Sequence, residues 1–200
     1  MENSEEFEEP RLMISNFNNL NMSGDKNFLA AGNKFFMNDE NLKNVRIIER
    51  NVIYLIGIKE HLADETILAS DNYLGQYGQI LKININKKPY RTKGDPFRYC
   101  SAYITFKKNI SACIAIISIG STFMPENPKI KASYATTKYC KFYCKKKVCR
   151  VKGCNFYHDM ADTEDCIVVN DSLSNMQLFN FQMKFAFEYA NKIFEDICSI

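Results

Sequence analysis

The chain has 200 residues, 46% of them apolar and 24% charged, a balance that supplies a real core and excludes disorder throughout. No run reaches the ~18 consecutive apolar residues that a membrane-spanning helix needs, and the acidic start from Met1 to Glu9 lacks the pattern of a secretory signal or an organellar presequence. With no signal expected, the eight cysteines are read as belonging to a reducing compartment, where spaced Cys and His hold metal more often than they form disulfides.

In chain order, residues 1–44 are acidic and read as a partly disordered segment. Residues 45–135 read as one α+β domain. Asn51 to Ile58 is a β-rich apolar run. Residues 62–74 place Leu62, Ile67, Leu68 and Leu74 near helical spacing behind an acidic first turn at Asp64 and Glu65, and Gly75 to Gly78 stop that helix. Ile80 to Asn86 alternates as a half-buried strand. A Lys-rich loop with Pro89, Gly94 and Pro96 follows, and Tyr99 to Phe106 alternates again. Residues 109–119 are expected as a helix with Ala112, Cys113, Ile116 and Ile117 inward, and Lys129 to Tyr134 as the last strand. This βαββαβ order is the ferredoxin-like split unit. The lone His61 just after the first strand reads as a surface turn residue.

Residues 136–160 follow as a small finger. Residues 131–158 carry eight basic residues and no acidic one, a candidate polyanion footprint. Cys140, Cys149, Cys154 and His158 read C-x8-C-x4-C-x3-H, three thiolates and one imidazole, which is the closed tetrahedral set of a structural zinc ion. Metal-binding energy of roughly 10–16 kcal/mol would let some twenty residues with almost no aliphatic core hold a shape. The finger has no Asp or Glu before Asp159, so no catalytic residue is assigned and a catalytic metal is not expected. Cys144 leaves an alternative open, an all-cysteine site of Cys140, Cys144, Cys149 and Cys154. Around the ligands stand Phe142, Tyr143, Phe156 and Tyr157, interleaved with Lys145, Lys146 and Lys147. Single-stranded nucleic acid takes such a surface, a π-face for each base and a cation for each phosphate. Phe156 is also a candidate for packing against the metal loops.

The first and third strands resemble the two short motifs of an RNA recognition motif. Ile53 to Ile58 fits the shorter, with Tyr54 at the stacking position. Tyr99 to Phe106 fits the longer from its fourth position on: Tyr103 is the central aromatic, whereas Ser101 replaces the other aromatic and Tyr99 the cation. Tyr54 and Tyr103 are therefore expected to contact single-stranded RNA; a sheet that binds protein is the other reading.

Several blocks together resemble one family. NVRIIERNVIYLIGI at residues 44–58, Leu62 to Asp64, YLGQYGQILK at residues 73–82, SAYIT at residues 101–105, and TTKYC at residues 136–140 with the finger spacing are similar to the fourth NOT subunit of the eukaryotic carbon-catabolite-repressor/NOT deadenylase complex. The likeness covers about residues 44–158. It implies an RNA-binding adaptor acting in mRNA decay and translational quality control, in cytoplasm and nucleus, without a membrane, with one structural Zn2+. It also implies an N-terminal RING ubiquitin-ligase domain, yet residues 1–60 hold neither Cys nor His. A RING folds on two zinc ions, so ligase activity is not carried over. A ubiquitin ligase working through a RING elsewhere stays an alternative, as does a splicing-factor-like protein-binding module. Against the latter, residues 120–124 lack the Arg of an Arg-x-Phe peptide pocket.

Residues 161–200 read as an acidic linker and an apolar helix, Leu178 to Ile197. At about 100° per residue, Asn180, Lys184, Glu188, Asn191 and Glu195 share one narrow face. The wide apolar remainder is expected to meet a partner, a NOT scaffold subunit held through residues 172–200; the alternative is that it folds back on this chain, where over the sheet it would mask Tyr54 and Tyr103.

Overall fold

β-branched residues persist along residues 45–59 far enough for one strand to serve two cores. The computed structural model describes residues 42–91, 93–121, 130–169 and 175–198. They form β1 (Val45–Lys59), α1 (Glu65–Ala69), β2 (Ile80–Arg91), β3 (Arg98–Phe106), α2 (Asn109–Ser121), β4 (Lys131–Lys138), α3 (Lys141–Cys144), β5 (Cys166–Val168) and α4 (Asn175–Cys198). The acidic segment expected over residues 1–44 lies outside the described residues except for Leu42–Asn44, a 3-10 turn with Leu42 buried.

The sheet has the order β2-β3-β1-β4, all neighbours antiparallel, which is the ferredoxin-like arrangement of an RNA recognition motif. Ile53, Leu55, Ala102, Ile104, Phe106, Ala132 and Tyr134 face α2 and are buried with its Ala112, Cys113 and Ile116. Gly57 sits at φ +83° where the register of β1 against β3 shifts, a bulge that a residue with a Cβ adopts only with strain.

Several boundaries differ from the expected ones. β1 begins at Val45 rather than Asn51, and its early half pairs with β5 through Val45, Arg46 and Ile47. β2 runs on past Asn86 into the first part of the expected Lys-rich loop, to Arg91. β4 ends at Lys138 rather than Tyr134, so Tyr139 alone separates it from Cys140. The helix expected over residues 62–74 is only Glu65–Ala69, capped by the Asp64 carboxylate, which accepts from Thr66 N and Ile67 N at 2.8 and 3.1 Å. Leu68 and Leu74 are both core residues, but six residues advance a helix by about 600°, so both reach one core only because the chain turns. The Leu74 N–H donates to Leu68 O and the Gly75 N–H to Ser70 O, and Gly75–Tyr77 is a 3-10 turn.

α4 folds back on this chain. Met183, Ala186 and Ala190 are buried in the core beside α2, the Cys113 thiol donates to Ala186 O at 3.0 Å, and Phe185 sets its ring edge-on to Tyr134 at 5.6 Å. This is the helix-covered side of the sheet, so α4 follows the fold-back alternative without masking Tyr54 and Tyr103. Lys184, Glu188, Asn191 and Glu195 are exposed as the periodicity required, with a Lys184–Glu188 ion pair at 3.6 Å. Arg50 of β1 ties the layers together: its Nε donates to Asp165 Oδ1 at 2.6 Å, and its guanidinium lies 5.0 Å from the Tyr189 ring and 5.6 Å from Phe185. If α4 is part of the core, Ala186→Glu should cost about 3 kcal/mol or more by burying an unpaired charge. Lys184→Glu, two residues away and exposed, should cost about 0.5 kcal/mol or less. Urea unfolding midpoints check this, and equal effects would mean that α4 detaches in solution.

Candidate metal centre and nucleic-acid face

Backbone pairing brings the ends of the finger together. Tyr139 and Tyr157 form a parallel bridge: the Cys140 N–H donates to Tyr157 O and the Tyr157 N–H to Lys138 O, both at 2.9 Å. α3 then carries the chain away, and Lys146 at φ +54° ends that turn. Gly153, at φ +63°, turns it back to Cys154. The outcome is that one donor atom from each of Cys140, Cys149, Cys154 and His158 lies within 4.8 Å of all the others. The Cys140 and Cys154 sulfurs are 4.0 Å apart; two thiolates on a zinc ion at ~2.3 Å stand about 3.8 Å apart. His158 Nε2 is buried without a hydrogen-bond partner, as a nitrogen reserved for a metal would be. Burial opposes ionisation of Cys140, but backbone N–H groups of Tyr143 and Phe142 and the thiols of Cys149 and Cys154 outweigh it and hold the group down at about 7. The donor set therefore fits a closed tetrahedral metal site. Cys144 is outside it: with Tyr143, Tyr157 and Cys166 it packs against Leu42, Val45, Ile47, Tyr139 and Ala161, so the all-cysteine alternative has no geometry to support it.

That packing is a second core, centred on Tyr139, a residue of the expected finger to which the sequence assigns no packing role. Tyr139 is buried, stacked on Tyr143 at 5.6 Å and 10°, and edge-on to Tyr157 at 5.8 Å. Its Oη accepts from Ala161 N at 3.2 Å, and burial pushes the phenol up to about 12. Tyr143 and Tyr157, expected at an RNA surface, thus each give part of the ring to this core and are half-buried; Phe142 is half-buried too, with Lys141 Nζ 5.3 Å from its centroid. Phe156, a candidate for the packing role, is 52% exposed. Lys145, Lys146 and Lys147 are exposed. An aromatic residue abutting the first ligand was the available signal for Tyr139.

On the sheet, Tyr54 and Tyr103 are register partners with ring centroids 4.7 Å apart, on the face opposite α2. The two positions that depart from the motif are covered. Ser101 is buried, and so is Tyr99, whose hydroxyl donates to Asp95 at 2.9 Å beside Tyr90, 6.1 Å away. Two aromatic platforms are thus presented side by side. His61 is exposed in a 3-10 turn.

No family model matches the chain. A general negative regulator of transcription from Schizosaccharomyces pombe is 32% identical over 140 residues, 68% of this chain and 28% of that protein. The general negative regulator of transcription subunit 4 of Saccharomyces cerevisiae is 34% identical over 140 residues, 65% of this chain and 24% of that protein. A solved structure described as Pes4 RRM3 is 16% identical with a TM-score of 0.33, covering 45% of this chain and 96% of that one. The chain spans about a quarter of the length of the curated relatives it matches, and across that stretch it is a homologue of subunit 4 of the general negative regulators of transcription, the NOT family that its residue blocks resemble.

Proposed function

We propose that this chain is the RNA-binding adaptor part of a NOT-type deadenylase complex, joining single-stranded RNA to mRNA decay and translational quality control, with one zinc ion held by Cys140, Cys149, Cys154 and His158. The observation that carries the reading is continuity: β1 and β4 both run from the aromatic pair to the finger, so stacking groups and cations sit on one framework. Bases would stack on Tyr54 and Tyr103 while Lys145, Lys146 and Lys147, with Phe142, Tyr143 and Tyr157 beside them, follow the backbone. A scaffold contact made by residues 172–200 would use the outward polar face of α4, since Met183, Ala186 and Ala190 are taken by this chain's core.

Elemental analysis should find one zinc per chain, lost in Cys149→Ser and His158→Ala and kept in Cys144→Ser. Retention in His158→Ala with loss in Cys144→Ser would reverse the ligand assignment.

By fluorescence anisotropy on single-stranded RNA, Tyr54→Ala and Tyr103→Ala should each cost about 1–3 kcal/mol. Charge reversal at Lys145, Lys146 and Lys147 should weaken binding to every sequence and flatten a salt dependence of about −0.7 per phosphate neutralised. Unchanged affinity in both tyrosine variants would assign the sheet to protein binding.

A further inference from the structure

Between the first half of β1 and the finger lies a cleft of about 290 Å³, lined by Glu49, Asn51 and Thr137 on the strand side and by Tyr157, Met160 and Asp162 across from them. It is on the same face as the aromatic pair. Ile48 and Ile53 both point into the main core across the register shift of β1, so Glu49 and Tyr54 point out on the opposite face. Glu49 is also close enough to add its charge to the causes that raise the Tyr103 phenol. A strand stacked on Tyr54 and Tyr103 and continuing toward the finger lysines passes this opening.

The polar wall of the cleft offers acceptors. Asn51 Nδ2 donates to Phe106 O at 3.1 Å, which leaves its Oδ1 for a ligand. The Thr137 hydroxyl donates to Asn155 O at 3.3 Å, which leaves oxygen lone pairs. Glu49 is half-buried, burial raises its carboxyl, and it makes no hydrogen bond or ion pair among the described residues. Asp165, in contrast, is occupied by Arg50. A desolvated carboxylate with no donor favours a ligand that brings donors.

We propose that this cleft takes the Watson–Crick edge of a guanine in single-stranded RNA, with Glu49 as the residue that selects it; the proposal rests on the RNA-binding reading above. Guanine alone among the four bases offers two adjacent donors, N1–H and N2–H, that a carboxylate accepts together. Adenine and cytosine put a ring-nitrogen acceptor beside their amine, and uracil flanks its single N–H with two carbonyls. Tyr157 supplies an aromatic wall and Met160 an apolar one, as single-stranded recognition pockets do. A cationic peptide would also bring donors, and Asp162 and Asp165 line the cleft beside Glu49, but residues 131–158, which supply Thr137 and Tyr157 to it, carry eight basic residues and no acidic one, a charge that favours a phosphate backbone.

The test is anisotropy of the full chain, zinc-loaded, with oligoadenylate carrying one guanosine, one inosine or no substitution. The guanosine oligomer should bind about tenfold tighter than plain oligoadenylate, and inosine, lacking the N2 amine, should lose most of that gain. Glu49→Gln should abolish the preference while leaving oligoadenylate affinity within about twofold, with zinc content and thermal unfolding unchanged. Equal binding of all three oligomers, or a guanosine preference that survives in Glu49→Gln, would overturn the guanine proposal and leave RNA binding intact. Binding of none would instead overturn the RNA reading itself. An arginine-bearing peptide that binds the wild type and not Glu49→Gln, with no guanosine preference, would reassign the cleft to protein.

Discussion

Everything in this fold depends on β1 being one strand with an irregularity in its middle. Glu49 pairs with Ala135 and Ile53 with Tyr134, so three residues of β1 stand against none of β4. Extra residues in one strand change which face each following side chain uses. Before the bulge Ile47 faces the small core and Ile48 the large one; after it Ile53 and Leu55 face the large core and Tyr54 the open side. A regular strand could not put both Ile48 and Ile53 inward, since they are an odd number of positions apart.

The residues thrown out by the irregularity hold the pieces together. Arg50 joins the segment after the finger to α4 through Asp165 and the Tyr189 and Phe185 rings, and Asn51 ties β1 to the end of β3. The Arg50–Asp165 pair is largely shielded, both side chains under a quarter exposed. Burial, with the nearby charges of Asp162 and Glu164, holds the Asp165 carboxyl up against the hydrogen bond and charge of the guanidinium. The pair therefore sets geometry more than it adds stability, the usual outcome when desolvation offsets attraction.

What the sequence made legible was what local spacing encodes. The clustering of Cys140, Cys149, Cys154 and His158, the alternation of β3, the inward face of α2 and the polar stripe of α4 all follow from periods or spacings within a few residues. The second core did not, because Leu42, Val45 and Ile47 meet Tyr139 and Ala161 across about a hundred residues, and no window contains both halves. β5 was missed because a three-residue strand has no period to detect. The helix expected over residues 62–74 is overlong because leucine content alone does not mark its end: Leu68 and Leu74 fall far apart on a helical wheel. Tyr143 and Tyr157 were read as surface because aromatics among lysines suit RNA; the ring of Tyr139 between them gives each a packing role that composition does not disclose.

Two cores on one strand imply two sources of stability. The large core is a continuous apolar cluster of sheet, α2 and α4 and needs no metal. The small one has four aliphatic residues of its own, one of them an alanine, and a set of tyrosines, too little to offset the entropy of ordering its loops, so a metal ion on the adjoining donor set would supply the balance. Cys140, a candidate metal ligand, lies two residues past the end of β4. Loss of the ion would then release Tyr139, Tyr143 and Tyr157 while Tyr54 and Tyr103 kept their places. With an ion bound, a surface that spans both cores would be rigid at one end by packing and at the other by coordination. The cleft at Glu49 lies at the join, where its far wall, Tyr157 and the residues after His158, exists only when the finger is formed.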